Sequence, residues 1–193
     1  MSPEFSQRLF ALILLGLAPA LPAAAAASDC DAADPVLTYT STPPLLAPQA
    51  SSSLVVTLYA DGCTSATFPN HDLRAGVHVA RLDPASFSKL LTEIEASELR
   101  QLNAANLAAR LSEERMLSKQ AGGSVHAVRD ENIVSLVFHG PKGALSDHEL
   151  RWASLRQDLL YAPKDRELLA LDSMLRRLEQ LAADIHAESE QRR

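Results

Sequence analysis

The chain has 193 residues, and its 18 Lys and Arg residues stand against 24 Asp and Glu, which gives a formal net charge of −6. An acidic surface repels nucleic acid and anionic lipid, so neither is an expected partner. Aromatic residues make up only 5% of the chain, which also argues against a surface that stacks on bases.

The first 27 residues have the pattern of a secretory signal peptide. Arg8 supplies a positive start, residues 9–17 are apolar but too short to span a bilayer as a helix, and alanines at 23–27 offer cleavage sites. No later stretch has the length and apolarity of a membrane span. The sequence therefore predicts a soluble periplasmic or secreted protein, and its Ala- and Arg-rich composition favours a bacterial source.

Two cysteines, Cys30 and Cys63, follow the signal segment. An oxidising compartment favours their pairing, which would tie the mature N-terminus to the first hairpin. In the chain-entropy model such a bridge stabilises the fold by about 3 kcal/mol. The alternative is lipid modification of Cys30, but Asp29 and Ala27 depart from the residues that precede the cysteine in a bacterial lipoprotein.

Residues 28–53 are predicted to form an extended Pro/Ser-rich arm, because Pro35, Pro43, Pro44 and Pro48 prevent a helix. Residues 36–40 favour one strand, expected at a sheet edge, where nearby prolines are tolerated.

The clearest supersecondary signal is a β-hairpin. Residues 54–59 and 63–68 are rich in β-branched residues and flank Asp61 and Gly62, which accept the positive φ of tight turns. Residues 77–82 alternate as a third strand. Asp83 and Pro84 then predict the start of a helix over 84–97, and Asn103 is expected to cap a second helix that ends at two glycines.

A second strand pair is predicted at residues 124–128 and 133–138, with the apolar second run in the middle of the sheet. Ser146 and Glu149 have capping-box spacing, which predicts a helix that continues through Trp152 to Leu160, with Trp152 in the core. A last helix is predicted over 164–187, and its apolar stripe is expected to pack on the core or to serve also as a homodimer seam. Residues 189–193 are expected to be a polar tail.

These elements predict one α+β domain over residues 54–188. Its mostly antiparallel sheet of four to five strands carries helices packed on one face and a C-terminal helical pair.

No catalytic or metal-binding motif is present. The six histidines lack metal-ligand spacing, there is no nucleophile elbow, and there is no phosphate loop, so we expect no metal and no cofactor. The best candidate polar cluster joins His71 and Asp72 to His139, if the two strand pairs share one sheet.

The pattern favours a protein-interaction module of the cell envelope, such as an inhibitor, an immunity-type protein or an accessory protein. An acidic domain without catalytic signatures fits this class. A small-ligand carrier and a hydrolase with a site that no motif marks are the alternatives.

Overall fold

The computed structural model describes residues 34–44, 52–122, 131–140 and 147–192. Six strands form one antiparallel sheet with the order β4-β3-β2-β1-β5-β6. They are β1 (Pro35–Thr42), β2 (Leu54–Tyr59), β3 (Cys63–Phe68), β4 (Gly76–Arg81), β5 (Ile133–Phe138) and β6 (His148–Trp152).

Four α-helices lie along the described parts of the chain. They are α1 (Pro84–Ala96), α2 (Ala104–Gln120), α3 (Leu155–Tyr161) and α4 (Arg166–Gln191), and a short 3₁₀ turn (Leu99–Gln101) connects α1 to α2. Helix α4 crosses β2, β3 and β4, whereas α2 packs near β6 and α3 lies between α2 and α4. The helices thus form a second layer on one side of the sheet, which we call the inner face.

Local chemistry sets the starts of these elements. Gly62 has a φ of +81° in the β2–β3 turn, where a side chain would strain the backbone. The carboxylate of Asp83 accepts hydrogen bonds from the amides of Ala85 and Ser86, and Asn103 accepts one from Asn106, which satisfies the free amides at the starts of α1 and α2. The predicted hairpin and both helix caps are confirmed.

The inner face of the sheet and one stripe of α4 make the core. Tyr39, Leu58 and Leu136 are completely buried in the sheet, and Leu168 and Leu178 are completely buried in α4. Because this stripe faces the sheet, the apolar residues of 164–187 are used within the chain. The core-packing interpretation of this helix is confirmed, and the homodimer through residues 164–187 stays a prediction.

The α+β class is confirmed, but the sheet has six strands rather than four to five, and β1 lies in its interior. Tyr39 of β1 pairs with Val56 of β2 on one side and with Leu136 of β5 on the other. An interior position is possible because Pro35 is the first residue of the strand and Pro43 follows its end, so no proline interrupts the ladder. The folded domain thus begins within the predicted arm and not at residue 54.

The segment from His148 to Trp152 is a strand, not the first half of a helix. Leu150 and Trp152 point into the core while Glu149 and Arg151 are exposed, which is the two-residue period of a half-buried strand. Pairing with β5 determines this choice, and α3 begins only at Leu155. Trp152 is buried, as predicted.

Several other predicted features are now placed. The last helix extends to Gln191, so most of the predicted tail is helical. Strand β5 is an interior strand with β1 and β6 as its neighbours. The predicted strand at residues 124–128, the signal peptide, Cys30 and Ser146 lie outside the described residues.

Candidate functional site

The structure does not bring His139 to His71 and Asp72. Strands β3 and β5 are separated by β2 and β1, so in an antiparallel sheet they run in opposite directions. His71 and Asp72 follow β3, whereas His139 follows β5, and the two groups therefore lie at opposite ends of the strands.

Asp72 is engaged within its own loop. Its carboxylate accepts two hydrogen bonds from the Arg74 guanidinium, at 3.0 and 2.7 Å, and one from the Arg74 amide at 2.8 Å. The bonds from the guanidinium, and then the bond from the amide, lower the pKa of Asp72 to about 2. Arg74 also lies over the ring of Phe68, with its Cζ 4.2 Å from the centroid. These contacts order the β3–β4 loop.

A polar groove lies between α4 and the end of the sheet where β1 finishes. Two cavities of about 350 and 270 Å³ share Ser41, Asn132 and Glu179 in their walls. Asn132 donates to the Ser41 hydroxyl at 2.9 Å, and the buried Tyr39 hydroxyl donates to Glu179 at 2.9 Å. Burial, and then the charge of Glu179, raise the pKa of Tyr39. The shared wall is therefore polar, unlike the deep apolar pocket that would favour the carrier interpretation.

His139 takes part in a different polar chain. Its Nε2 lies 2.9 Å from the Thr38 hydroxyl of β1, and its Nδ1 lies 3.0 Å from the carboxylate of Asp147. The Gly140 amide donates to the other Asp147 oxygen at 3.2 Å. Sequence reasoning selected the histidine but missed Thr38 and Asp147, because these contacts depend on β5 lying beside β1.

The face of the sheet opposite the helices, which we call the outer face, carries mainly Thr, Ser and Val side chains. Two registered rows of side chains cross all six strands on this face. One row is Val79, Ser65, Thr57, Thr38, Val137 and Glu149, and the other is Val77, Thr67, Val55, Thr40, Ser135 and Arg151.

Each row contains five uncharged residues and ends in one charged residue on β6. Two of the twelve residues are therefore charged, against 22% of the whole chain, so the rows differ from the rest of the chain in where their charges lie rather than in how many there are. The ten residues on β4, β3, β2, β1 and β5 form one continuous uncharged area. The residues of the rows on β4, β3, β2, β1 and β5 are half-buried apart from the exposed Val77, and none of the main helix–sheet contacts involves a helix on this face. A period-2 pattern predicts strands but does not by itself reveal that the uncharged positions join into one area. Counting charges at the outward positions of each strand would have found the uncharged positions.

A buried charge holds α3 against α2 and β6. Asp158 is only 1% exposed, and its carboxylate forms an ion pair with the Arg115 guanidinium. It also accepts hydrogen bonds from the Trp152 indole at 2.8 Å and from the Ser154 hydroxyl at 2.9 Å. Sequence reasoning missed this contact, because Arg115 and Asp158 lie on different helices and meet only where α2 packs on α3.

Cys63 is the first residue of β3 and is completely buried. Its expected partner Cys30 lies outside the described residues, so the disulfide stays a prediction. Within the described ranges, no group of three or more His, Cys, Asp or Glu side chains is arranged to hold a metal ion. In the same ranges, no helix combines the length and the apolarity needed to cross a bilayer.

Comparison of the chain with models of known families, with curated proteins and with solved structures finds no match.

Proposed function

We propose that this protein is an extracytoplasmic protein-interaction module and that it binds through the outer face of its sheet. The continuous uncharged area that the two outer rows form on β4, β3, β2, β1 and β5 carries this proposal. Charged residues are less frequent at the centre of a protein interface than on the rest of the protein surface. The signal-peptide pattern of residues 1–27 supports the compartment.

The side chains of the rows are suited to a contact that is made after folding. Removing hydroxyl and aliphatic groups from water costs less than removing charges, and the threonine hydroxyls keep the unbound face soluble. Thr57 and Thr40 lie at the centre of the face, since β2 and β1 are the two middle strands. A partner seated there would contact both rows at once.

Site-specific photocrosslinking tests the proposal in cells that export the protein. A benzophenone side chain at Thr57 is expected to give a protein adduct of defined mass, and the same group at the exposed Glu113 of α2 serves as the matched control. Thr40→Arg should abolish the Thr57 adduct, because it places an unpaired charge in the contact. Equal labelling from both positions, or an adduct that Thr40→Arg leaves intact, would contradict the proposal.

Hydrolysis is a second candidate function, supported by the chain of hydrogen bonds from Thr38 through His139 to Asp147. In such a chain the hydroxyl can act as the nucleophile, the imidazole as the base that takes its proton, and the carboxylate as the group that orients the imidazole. In an ester hydrolysis, Thr38 would attack the acyl carbon and pass its proton to His139, which would return it to the leaving alkoxide. Water would then release the acid from Thr38.

Turnover of p-nitrophenyl acetate tests this second function. If Thr38 is the nucleophile, Thr38→Val abolishes turnover, His139→Asn lowers kcat by about 100-fold or more, and mass spectrometry finds the acyl group on Thr38. Thr40→Val, at the neighbouring outward threonine of β1, is the matched control and should leave kcat unchanged. Wild-type turnover that Thr38→Val does not reduce would exclude the hydrolase function.

A further inference from the structure

We infer that the occupant of the outer face is a second copy of this chain, so that the protein forms a symmetric dimer by stacking two sheets face to face. This inference rests on the proposed function and states which partner binds. The charge, geometry and area of the outer face support a second copy as that partner.

Charge restricts where two copies can meet. Each copy carries a formal net charge of −6, so most approaches of two copies place carboxylates near one another. On the outer face, the five uncharged positions of each row avoid that repulsion. Self-association through the outer face therefore brings fewer carboxylates together than an approach through a charged part of the described surface.

The geometry of the sheet also suits self-association. A two-fold axis parallel to the strands places β6 of one copy over β4 of the other. The Glu149 carboxylate on β6, which accepts a hydrogen bond from Ser135 at 3.0 Å, then faces the edge that carries Val79. The Arg81 guanidinium at the end of that edge is paired with Asp61 of its own chain. In this arrangement Glu149 of one copy does not face Glu149 of the other, and Arg151 does not face Arg151.

The area of the face is sufficient for a weak dimer. Six strands spaced about 4.8 Å apart and about 20 Å long present roughly 500 Å². Two such faces bury about 1,000 Å² in total, which is at the lower limit for a specific interface. We therefore expect a dimer that dissociates on dilution, with the two sheets about 10 Å apart.

Sedimentation velocity of the purified mature protein tests the inference. Over a dilution series from about 200 to 1 μM, the wild-type mass should fall from that of a dimer to that of a monomer. Thr57→Arg should sediment as a monomer throughout, because it buries two unpaired guanidinium groups at the centre of the interface. Thr92→Arg makes the same change on the exposed side of α1 and should sediment like the wild type.

Circular dichroism shows whether each variant is folded. If Thr57→Arg does not fold, Thr40→Arg is measured in its place. A wild type that is monomeric at every concentration overturns the inference. Dissociation of the dimer by Thr92→Arg to the same extent as by Thr57→Arg also overturns it. A monomeric protein that still gives an outer-face adduct of another mass would overturn the second copy as occupant and leave the interaction module in place. A monomeric protein without such an adduct would overturn both.

Discussion

A chain that begins at Ser53 is expected not to fold. It lacks β1, which pairs with β2 through Tyr39 and Val56 and with β5 through Tyr39 and Leu136. Without this strand, the sheet is divided into β4-β3-β2 and β5-β6, and the core loses the completely buried side chains of Leu37 and Tyr39. Thermal unfolding followed by circular dichroism should show no cooperative transition.

Two longer chains serve as controls for this truncation. The mature chain from Ser28 should unfold cooperatively, and so should the same chain with Cys30→Ser, which separates the loss of β1 from the loss of the predicted disulfide. If the chain from Ser53 unfolded cooperatively with native near-ultraviolet dichroism, the interior position of β1 would be contradicted.

Asp158→Ala is expected to lower the free energy of unfolding by about 3 kcal/mol. The substitution removes the acceptor of the buried Trp152 indole and the partner of the Arg115 guanidinium. It also leaves a cavity where α3 meets β6. Urea denaturation followed by the fluorescence of Trp152, the only tryptophan in the chain, measures this loss directly.

The matched control for Asp158→Ala is Asp172→Ala on α4. Asp172 pairs with Arg176, whose side chain is 74% exposed, and a surface pair of this kind contributes less than about 1 kcal/mol. Equal losses of stability in the two variants would show that Asp158 is not the contact that fixes α3. Asp158→Asn should fall between wild type and Asp158→Ala, because it keeps an acceptor for the indole but not the charge.

Local chemistry was enough to predict part of the fold. Asp61 and Gly62 indicated the first hairpin, and Asp83 and Asn103 indicated the starts of α1 and α2, because each of these features depends on residues close in sequence. The place of β1 in the sheet could not be predicted in this way. A short threonine-rich strand between prolines looks the same at an edge or in the interior until its neighbours are known.

The misassignment of β6 has a similar cause. Trp152, Leu155 and Leu159 fit a helical spacing about as well as Leu150 and Trp152 fit an alternating one, and the spacing of Ser146 and Glu149 favours the helix. Strand β5 decides between them, since pairing with Leu136 and Val134 holds Leu150 and Trp152 in register. Tertiary pairing overrides local preference in such short segments.

The candidate site shows the same limit. His139 was selected as a reactive residue from its type and its loop position, but Asp72 was the wrong partner. Thr38 and Asp147 are its partners because β1 and β5 are neighbours, which composition and spacing do not reveal. The outer rows were visible in the sequence only as strand alternation, and their uncharged positions became meaningful once the register joined them into one surface.

Photocrosslinking from Thr57 tests most directly whether the outer face is the functional surface. The proposed function predicts an adduct from this position that is absent from Glu113 and is lost in Thr40→Arg. An adduct of twice the chain's mass identifies the second copy as the partner. Labelling from Thr57 that does not exceed labelling from Glu113 would contradict a binding role for the outer face.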